Sequence, residues 1–145
     1  MKNLTTLTDG ASRPRWMIVD DNEEILSLMH EIVARFSDSE IVCFNSPQAA
    51  LAAFEAAPES FELVITDFEM PGMSGMELCH RLRAISPAAK VLLATGSDLV
   101  SNEAAAHEGF CALLHKPFQF VALQRALESI GVGKNFKNDF AQAAA

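Results

Sequence analysis

The sequence lacks any apolar run long enough to cross a lipid bilayer. A membrane-spanning helix needs about 20 consecutive apolar residues, and polar residues interrupt every apolar segment of this 145-residue chain before that length. The N-terminal residues MKNLTTLTDG also lack the apolar centre of a signal peptide. We therefore expect a cytoplasmic protein without membrane association, in which residues 1–13 form a polar, flexible lead-in.

Cysteine and basic residues are also scarce. Cys43, Cys79 and Cys111 lie far apart without a CxxC pair, which argues against a zinc site and a disulfide framework, so we interpret them as buried thiols. Eleven Lys and Arg against nineteen Asp and Glu give a net charge of -8. A nucleic-acid-binding surface needs clustered basic residues, and the largest group here is Arg81 with Arg83. Direct binding to nucleic acid is therefore not expected.

Short apolar segments alternate with helical patterns along the rest of the chain. The apolar segments are rich in Val, Ile and Leu and end at polar or Gly/Pro residues, which is typical of buried parallel strands. They are WMIV (16–19), IVCF (41–44), LVIT (63–66), VLLAT (91–95) and CALLH (111–115).

Five helices are predicted between and after these strands. Apolar residues recur at helical spacing from Ile25 to Phe36, after Ser46-Pro47, from Met76 to Leu82, over about 99–108, and from Phe120 to Ile130. Repeated βα units predict a doubly wound α/β fold with a five-stranded parallel sheet in the flavodoxin-like order 2-1-3-4-5. Residues 14–131 would form this one domain, followed by a tail at 132–145.

Polar side chains follow four of the predicted strands, where each strand ends. Asp20 and Asp21 follow the first strand, Asp67 follows the third, Thr95 ends the fourth and Lys116 follows the fifth. Neighbouring strands lie about 4.8 Å apart, so this order brings the three carboxylates together and leaves Lys116 within reach of Asp67. Taken singly, each aspartate could equally be a helix cap or a turn residue.

Three converging carboxylates repel one another, and a bound cation would relieve that repulsion. Oxygen ligands without His or Cys select a hard ion, and magnesium fits best because it binds one or two carboxylates together with phosphate oxygens. The Lys116 ammonium and the Thr95 hydroxyl suit the remaining oxygens of a tetrahedral anion. The combination indicates phosphoryl transfer.

These residues give the chain a resemblance to receiver domains of bacterial two-component response regulators. The resemblance extends from Arg15 to Ile130 and is carried by MIVDDNEE, LVITDFEMPGMSGMEL, VLLATG and HKPF. It implies a stand-alone signalling switch, not an enzyme beyond its own phosphorylation and autodephosphorylation. The implied partners are a histidine kinase or histidine phosphotransfer protein and an unknown downstream protein, and the implied state is a monomer or weak homodimer.

The resemblance also implies a role for each site residue. Asp21 would bind Mg²⁺ directly, Asp20 mainly through water, and the backbone carbonyl of Glu69 would complete the protein ligands. Asp67 would be both ligand and phosphoacceptor. Thr95 and Lys116 would bind phosphoryl oxygens, with a cis Lys116–Pro117 bond orienting the lysine.

The sequence departs from the family pattern at two positions. The family usually has Tyr or Phe three residues before the lysine, where this chain has Leu113, so phosphorylation could be relayed differently. Glu69 places an acidic side chain at the mouth of the site, where the family has many residue types.

Three other functions remain to be weighed. An aspartyl-phosphate phosphatase would need two aspartates separated by one residue after the first strand, whereas Asp20 and Asp21 are adjacent. A scaffold that has lost phosphorylation would not need the acceptor-site residues, which are all present. A nucleotide-binding protein would need a Gly, Ser or Thr-rich loop after the first strand, where this chain is acidic.

Overall fold

The computed structural model describes residues 14–96, 100–116 and 118–132. The described chain forms one five-stranded parallel sheet in the order β2-β1-β3-β4-β5. The predicted fold class and strand order are therefore confirmed. The strands are β1 (Arg15–Val19), β2 (Glu40–Phe44), β3 (Phe61–Thr66), β4 (Val91–Thr95) and β5 (Ala112–His115).

Five helices connect and follow these strands in the described part of the chain. Side-chain oxygens of Asn22, Ser46, Ser74 and Ser101 cap the first four by accepting backbone N–H bonds, and Pro47 occupies the first turn after Ser46 as predicted. The helices are α1 (Glu23–Val33), α2 (Pro47–Ala56), α3 (Gly75–Ile85), α4 (Asn102–His107) and α5 (Phe120–Ile130).

The sheet separates two apolar cores, because successive strand residues point to opposite faces. On one face Met17, Val64 and Leu93 pack with residues of α2, α3 and α4, among them Phe54 and Leu78. On the other face the strand residues pack against α1 and α5, through side chains that include Trp16, Ile65, Met29 and Leu123. Burial on both faces explains why the strands read as continuous apolar runs.

The structure differs from the sequence predictions in three details. Helix α4 spans only Asn102–His107, shorter than the predicted 99–108, because Ser101 caps its start. A 3₁₀ turn at Pro58–Ser60 was not predicted. Cys79 is buried as expected, but Cys43 is only half-buried and Cys111 is exposed, so the expectation of three buried thiols is wrong for Cys111.

Several predictions concern residues outside those described. They are the lead-in at 1–13, the tail from residue 133 onward, the start of the fourth helix near residue 99 and the cis bond at Pro117. Among the described residues, no helix has the length and apolar character required to span a membrane.

Candidate functional site

Asp20 and Asp21 lie between the end of β1 and the start of α1. The Asp20 backbone N–H donates to the Phe44 carbonyl of β2, which extends the sheet pairing by one residue, and its side chain is almost fully buried. The Asp20 carboxylate also accepts the Asn22 N–H at 2.9 Å. Asp21 is exposed. The turn into α1 thus holds one aspartate inside the site and leaves the next at its rim.

Asp67 directly follows β3, next to β1 in the sheet. Its backbone N–H donates to the Val19 carbonyl at 2.9 Å, and its carboxylate accepts the Phe68 N–H at 2.8 Å. The start of α3 packs against the same backbone, and a side chain at Gly75 would collide with the Asp67 carbonyl oxygen. The Asp67 backbone is therefore held by β1 on one side and by the start of α3 on the other.

Lys116 extends from the end of β5 across the carboxyl ends of the central strands. Its ammonium lies 2.8 Å from Asp20 Oδ2 and 3.2 Å from Asp67 Oδ1, and its side chain is only 13% exposed. Its backbone N–H donates to the Thr95 carbonyl at 2.7 Å, which ties it to β4. Thr95 is itself buried. The residues that follow four strands thus meet in one site.

The Asp20, Asp21 and Asp67 carboxylates converge as the strand order requires. One oxygen from each lies within 4.8 Å of the others. Burial raises the pKa of Asp67, and the negative charge of Asp20 raises it further, although Lys116 opposes both effects. Burial lowers the pKa of Lys116, but its hydrogen bond to Asp20 and the charges of Asp20 and Asp67 raise it overall. Lys116 therefore remains a cation.

This group of oxygen ligands fits a hard divalent cation. Three carboxylates with oxygens within 4.8 Å of one another carry a net negative charge even when the Lys116 ammonium is counted, and no His or Cys belongs to the cluster. Glu69 is exposed and lines the same cleft as Asp67 and Thr95. The ligand roles of Asp20, Asp21, Asp67 and Glu69 remain predictions.

A cleft with a volume of about 600 Å³ opens directly onto Asp67. One end of it is polar and includes Asp67, Glu69, Thr95, Gly96 and Lys116. The rest of the lining, which we term the apolar wall, consists of Ile25, Leu28, Met29 and Ile32 of α1 together with Phe118. The site therefore combines a polar part with an apolar surface.

Sequence reasoning missed two features of this arrangement. It placed Lys116 near Asp67, but the shorter contact is to Asp20, because the lysine side chain crosses β4 and β3 to reach the end of β1. The apolar wall was interpreted only as a helical repeat, although Leu28 is 52% exposed. An apolar residue on the outer side of α1 next to the predicted site could have indicated it.

Comparison with known proteins gives one family. A sequence profile described as the response regulator receiver domain matches residues 16–128. A response regulator receiver protein of Anaeromyxobacter sp. (strain Fw109-5) is 38% identical over 117 residues, which are 79% of this chain and 46% of that protein. The chain thus spans less than half the length of this curated relative.

Solved structures show the same likeness. A response regulator receiver domain protein from Clostridium thermocellum is 28% identical, with a TM-score of 0.73 over 81% of this chain and 94% of that one. Response regulator protein TrrA from Thermotoga maritima, solved in complex with Mg(2+)-BeF, is 27% identical with a TM-score of 0.71, over 81% and 98% of the two chains.

Proposed function

Because the chain belongs to the response regulator receiver domain family, we propose that it is the phosphoacceptor switch of a two-component phosphorelay. The observation that carries the proposal is the contact of Lys116 with both Asp20 and Asp67 inside a cluster of three carboxylates. The arrangement pairs a nucleophile with a cation that can neutralise an incoming anion, and such positioning does most of the catalysis in phosphoryl transfer.

Asp67 is the phosphoacceptor in this proposal. Its side chain lines the cleft with only 14% of its surface exposed, and one of its carboxylate oxygens accepts hydrogen bonds from the Phe68 N–H and Lys116. Asp20, Asp21, Asp67 and the Glu69 carbonyl would hold Mg²⁺. When bound, this ion would neutralise the phosphoryl oxygens and the surrounding carboxylates.

Lys116 and Thr95 would bind the other phosphoryl oxygens. Lys116 would exchange part of its contact with Asp20 and Asp67 for a charge-assisted hydrogen bond to the phosphoryl group. Both residues lie at the ends of adjacent strands, β4 and β5, so a shift toward the phosphoryl group would move the edge of the sheet. We expect a downstream protein to recognise phosphorylation by binding this edge of the sheet.

The phosphodonor would be a histidine kinase or a histidine phosphotransfer protein. The apolar wall and the half-exposed Leu28 lie beside Asp67 on α1 and offer a surface on which such a partner could place its histidine. The chain would act as a protein switch, with chemistry limited to its own phosphorylation and autodephosphorylation. The net charge of -8 argues against direct contact with nucleic acid.

The test is phosphorylation by acetyl phosphate, followed by intact-protein mass spectrometry. We expect one added phosphoryl group on the wild type in the presence of Mg²⁺, none on Asp67→Asn, and at least a tenfold slower reaction in EDTA. The amide of Asn is a poor nucleophile and the other carboxylates are committed to the metal.

The matched control is Asp38→Asn, which removes an exposed carboxylate in the connection between α1 and β2. It should accept the phosphoryl group at the wild-type rate. Unchanged modification of Asp67→Asn would place the acceptor elsewhere, and no modification of the folded wild type would contradict the proposed function.

A further inference from the structure

The cleft beside Asp67 is larger than a phosphoryl group requires. Its volume of about 600 Å³ lies in the range of small-molecule sites, commonly about 300–1,000 Å³. Its polar end accounts for the phosphoryl group and its counter-ions. The apolar wall has no role in that chemistry, although it faces the same space.

The apolar wall is a surface of α1 and the segment before α5 that the core leaves uncovered. Met29 anchors it, being only 2% exposed, whereas Leu28 is 52% exposed at its outer rim. Ile25, Ile32 and Phe118 are partly buried and continue into the core between the sheet and these helices. An apolar group that enters the cleft would therefore meet a supported surface.

We propose that the apolar wall is a binding subsite for the leaving group of the phosphodonor, and that it favours donors with an apolar leaving group. The inference rests on the proposed function, because it assumes that Asp67 is the acceptor. A donor must place its phosphoryl group against Lys116 and Thr95, and the rest of the molecule then occupies the cleft between them and α1.

Two acyl phosphates that differ only in their apolar group can measure how much the apolar wall contributes to the phosphorylation rate. An Asp67 oxygen forms a bond to phosphorus while the bond from phosphorus to the acyl oxygen breaks. The leaving group, acetate or benzoate, departs with the electron pair of the broken bond, so the step needs no proton or further reactant. Acetyl phosphate and benzoyl phosphate undergo the same reaction, and they differ in whether a methyl group or a phenyl ring faces the wall.

The experiment measures second-order rate constants for phosphorylation of the full chain by both donors, with Mg²⁺, by quenched intact-protein mass spectrometry. Each rate constant is divided by the rate at which the same donor hydrolyses in buffer. We expect the resulting ratio to be about tenfold higher for benzoyl phosphate, because partial burial of its phenyl ring against the wall contributes about that much. Leu28→Gln and Ile25→Gln should each reduce this preference by at least about threefold, because they make the wall polar.

Val121→Gln is the matched control. Val121 is an exposed apolar helix residue like Leu28, at 54% against 52%, but it does not line the cleft. This variant should retain the full preference for benzoyl phosphate. Equal use of the two donors by the wild type, or a preference retained in both wall variants, would overturn the inference. If neither donor modified Asp67, the proposed function itself would fail.

Discussion

At Asp67, burial and the adjacent Asp20 charge make ionisation more costly in the folded chain than in the unfolded chain. Because the folded pKa is raised, the stability linked to this group is complete below the unfolded value of 3.8 and is lost as pH rises through the folded pKa. At neutral pH without metal, well above the unfolded value, this group therefore weakens the fold. The same cost of ionisation favours any process that neutralises the Asp67 carboxylate.

We expect Asp67→Asn to raise the thermal unfolding midpoint by a few degrees at pH 7 in EDTA. The gain should shrink as the pH falls toward the unfolded pKa, since wild-type Asp67 is then neutral as well. Calorimetry or circular dichroism gives the midpoint. Glu69→Gln, an exposed carboxylate two residues away, serves as the control without this gain. An equal or lower midpoint for Asp67→Asn at pH 7 would contradict the prediction.

Gly75 packs so closely against the backbone at Asp67 that it leaves no space for a side chain. An added Cβ would meet the Asp67 carbonyl oxygen and lie 3.2 Å from the Phe68 Cα, both of which are backbone atoms that cannot rotate away. Gly75→Ala should therefore lower the free energy of unfolding by about 2–3 kcal/mol and displace the acceptor. Urea unfolding measures the first effect and acetyl phosphate reactivity the second.

Gly96→Ala provides the comparison for Gly75→Ala. Nothing lies within 4 Å of the Cβ position at Gly96, although this residue also borders the site. Its unfolding free energy should stay within about 0.5 kcal/mol of the wild-type value or rise slightly, because alanine restricts the unfolded chain. Similar losses in the two variants would show that packing on Asp67 is not what Gly75 provides.

At the scale of single residues, the sequence predicted which side chains would meet but not how they pair. Asp20, Asp21, Asp67 and Lys116 all follow strands, and parallel strands end at one edge, so their proximity follows from the strand order. The preference of Lys116 for Asp20 depends on the path of a flexible side chain over two strands. No periodicity in the sequence encodes that path.

Among the elements, the strands were predicted within one or two residues because burial on both faces leaves an uninterrupted apolar run. Helix α4 was predicted less well. It has six residues and one buried side chain, Ala105, so it carries little amphipathic signal. The 3₁₀ turn at Pro58–Ser60 is shorter than one turn of an α-helix, so the sequence has no helical repeat there to detect.

Leu113 is expected to affect how far β5 and α4 shift on phosphorylation. It is partly buried against the core beneath α2, α3 and α4, in register with Leu93. In the family pattern an aromatic residue fills this position, and two packings of it differ by a few kcal/mol. Leucine is smaller and has no hydroxyl group, so we expect β5 and α4 to shift less here than is usual.

Chemical shifts with and without a beryllofluoride mimic of the phosphoryl group test this expectation. In the wild type the large changes should cluster around Asp67 and the start of α1, with smaller ones over Ala112–His115 and α4. Leu113→Tyr should enlarge the changes in β5 and α4. Large wild-type changes there, unaffected by the substitution, would show that Leu113 does not limit the switch.

Across the whole molecule, the site combines residues that follow central strands of the sheet with a residue that follows an edge strand. β1 and β3 lie in the middle of the sheet and carry Asp20 and Asp67. β5 is an edge strand with mostly partial burial, and it carries Lys116. Structures that move are commonly those with the least buried contact. Asp67 is therefore held beside a central strand, whereas Lys116 follows an edge strand with less buried contact.

The pair between Lys116 and Asp20 joins positions 96 residues apart in the chain. Closing so long a loop carries an entropic cost that nearer contacts do not, so such a contact forms only when most of the intervening structure already exists. We therefore expect the contacts of Lys116 with Asp20 and Asp67 to form only after β5 has joined the sheet. If Asp67 is the phosphoacceptor, as proposed, its reactivity toward a phosphodonor would therefore also indicate that folding is complete.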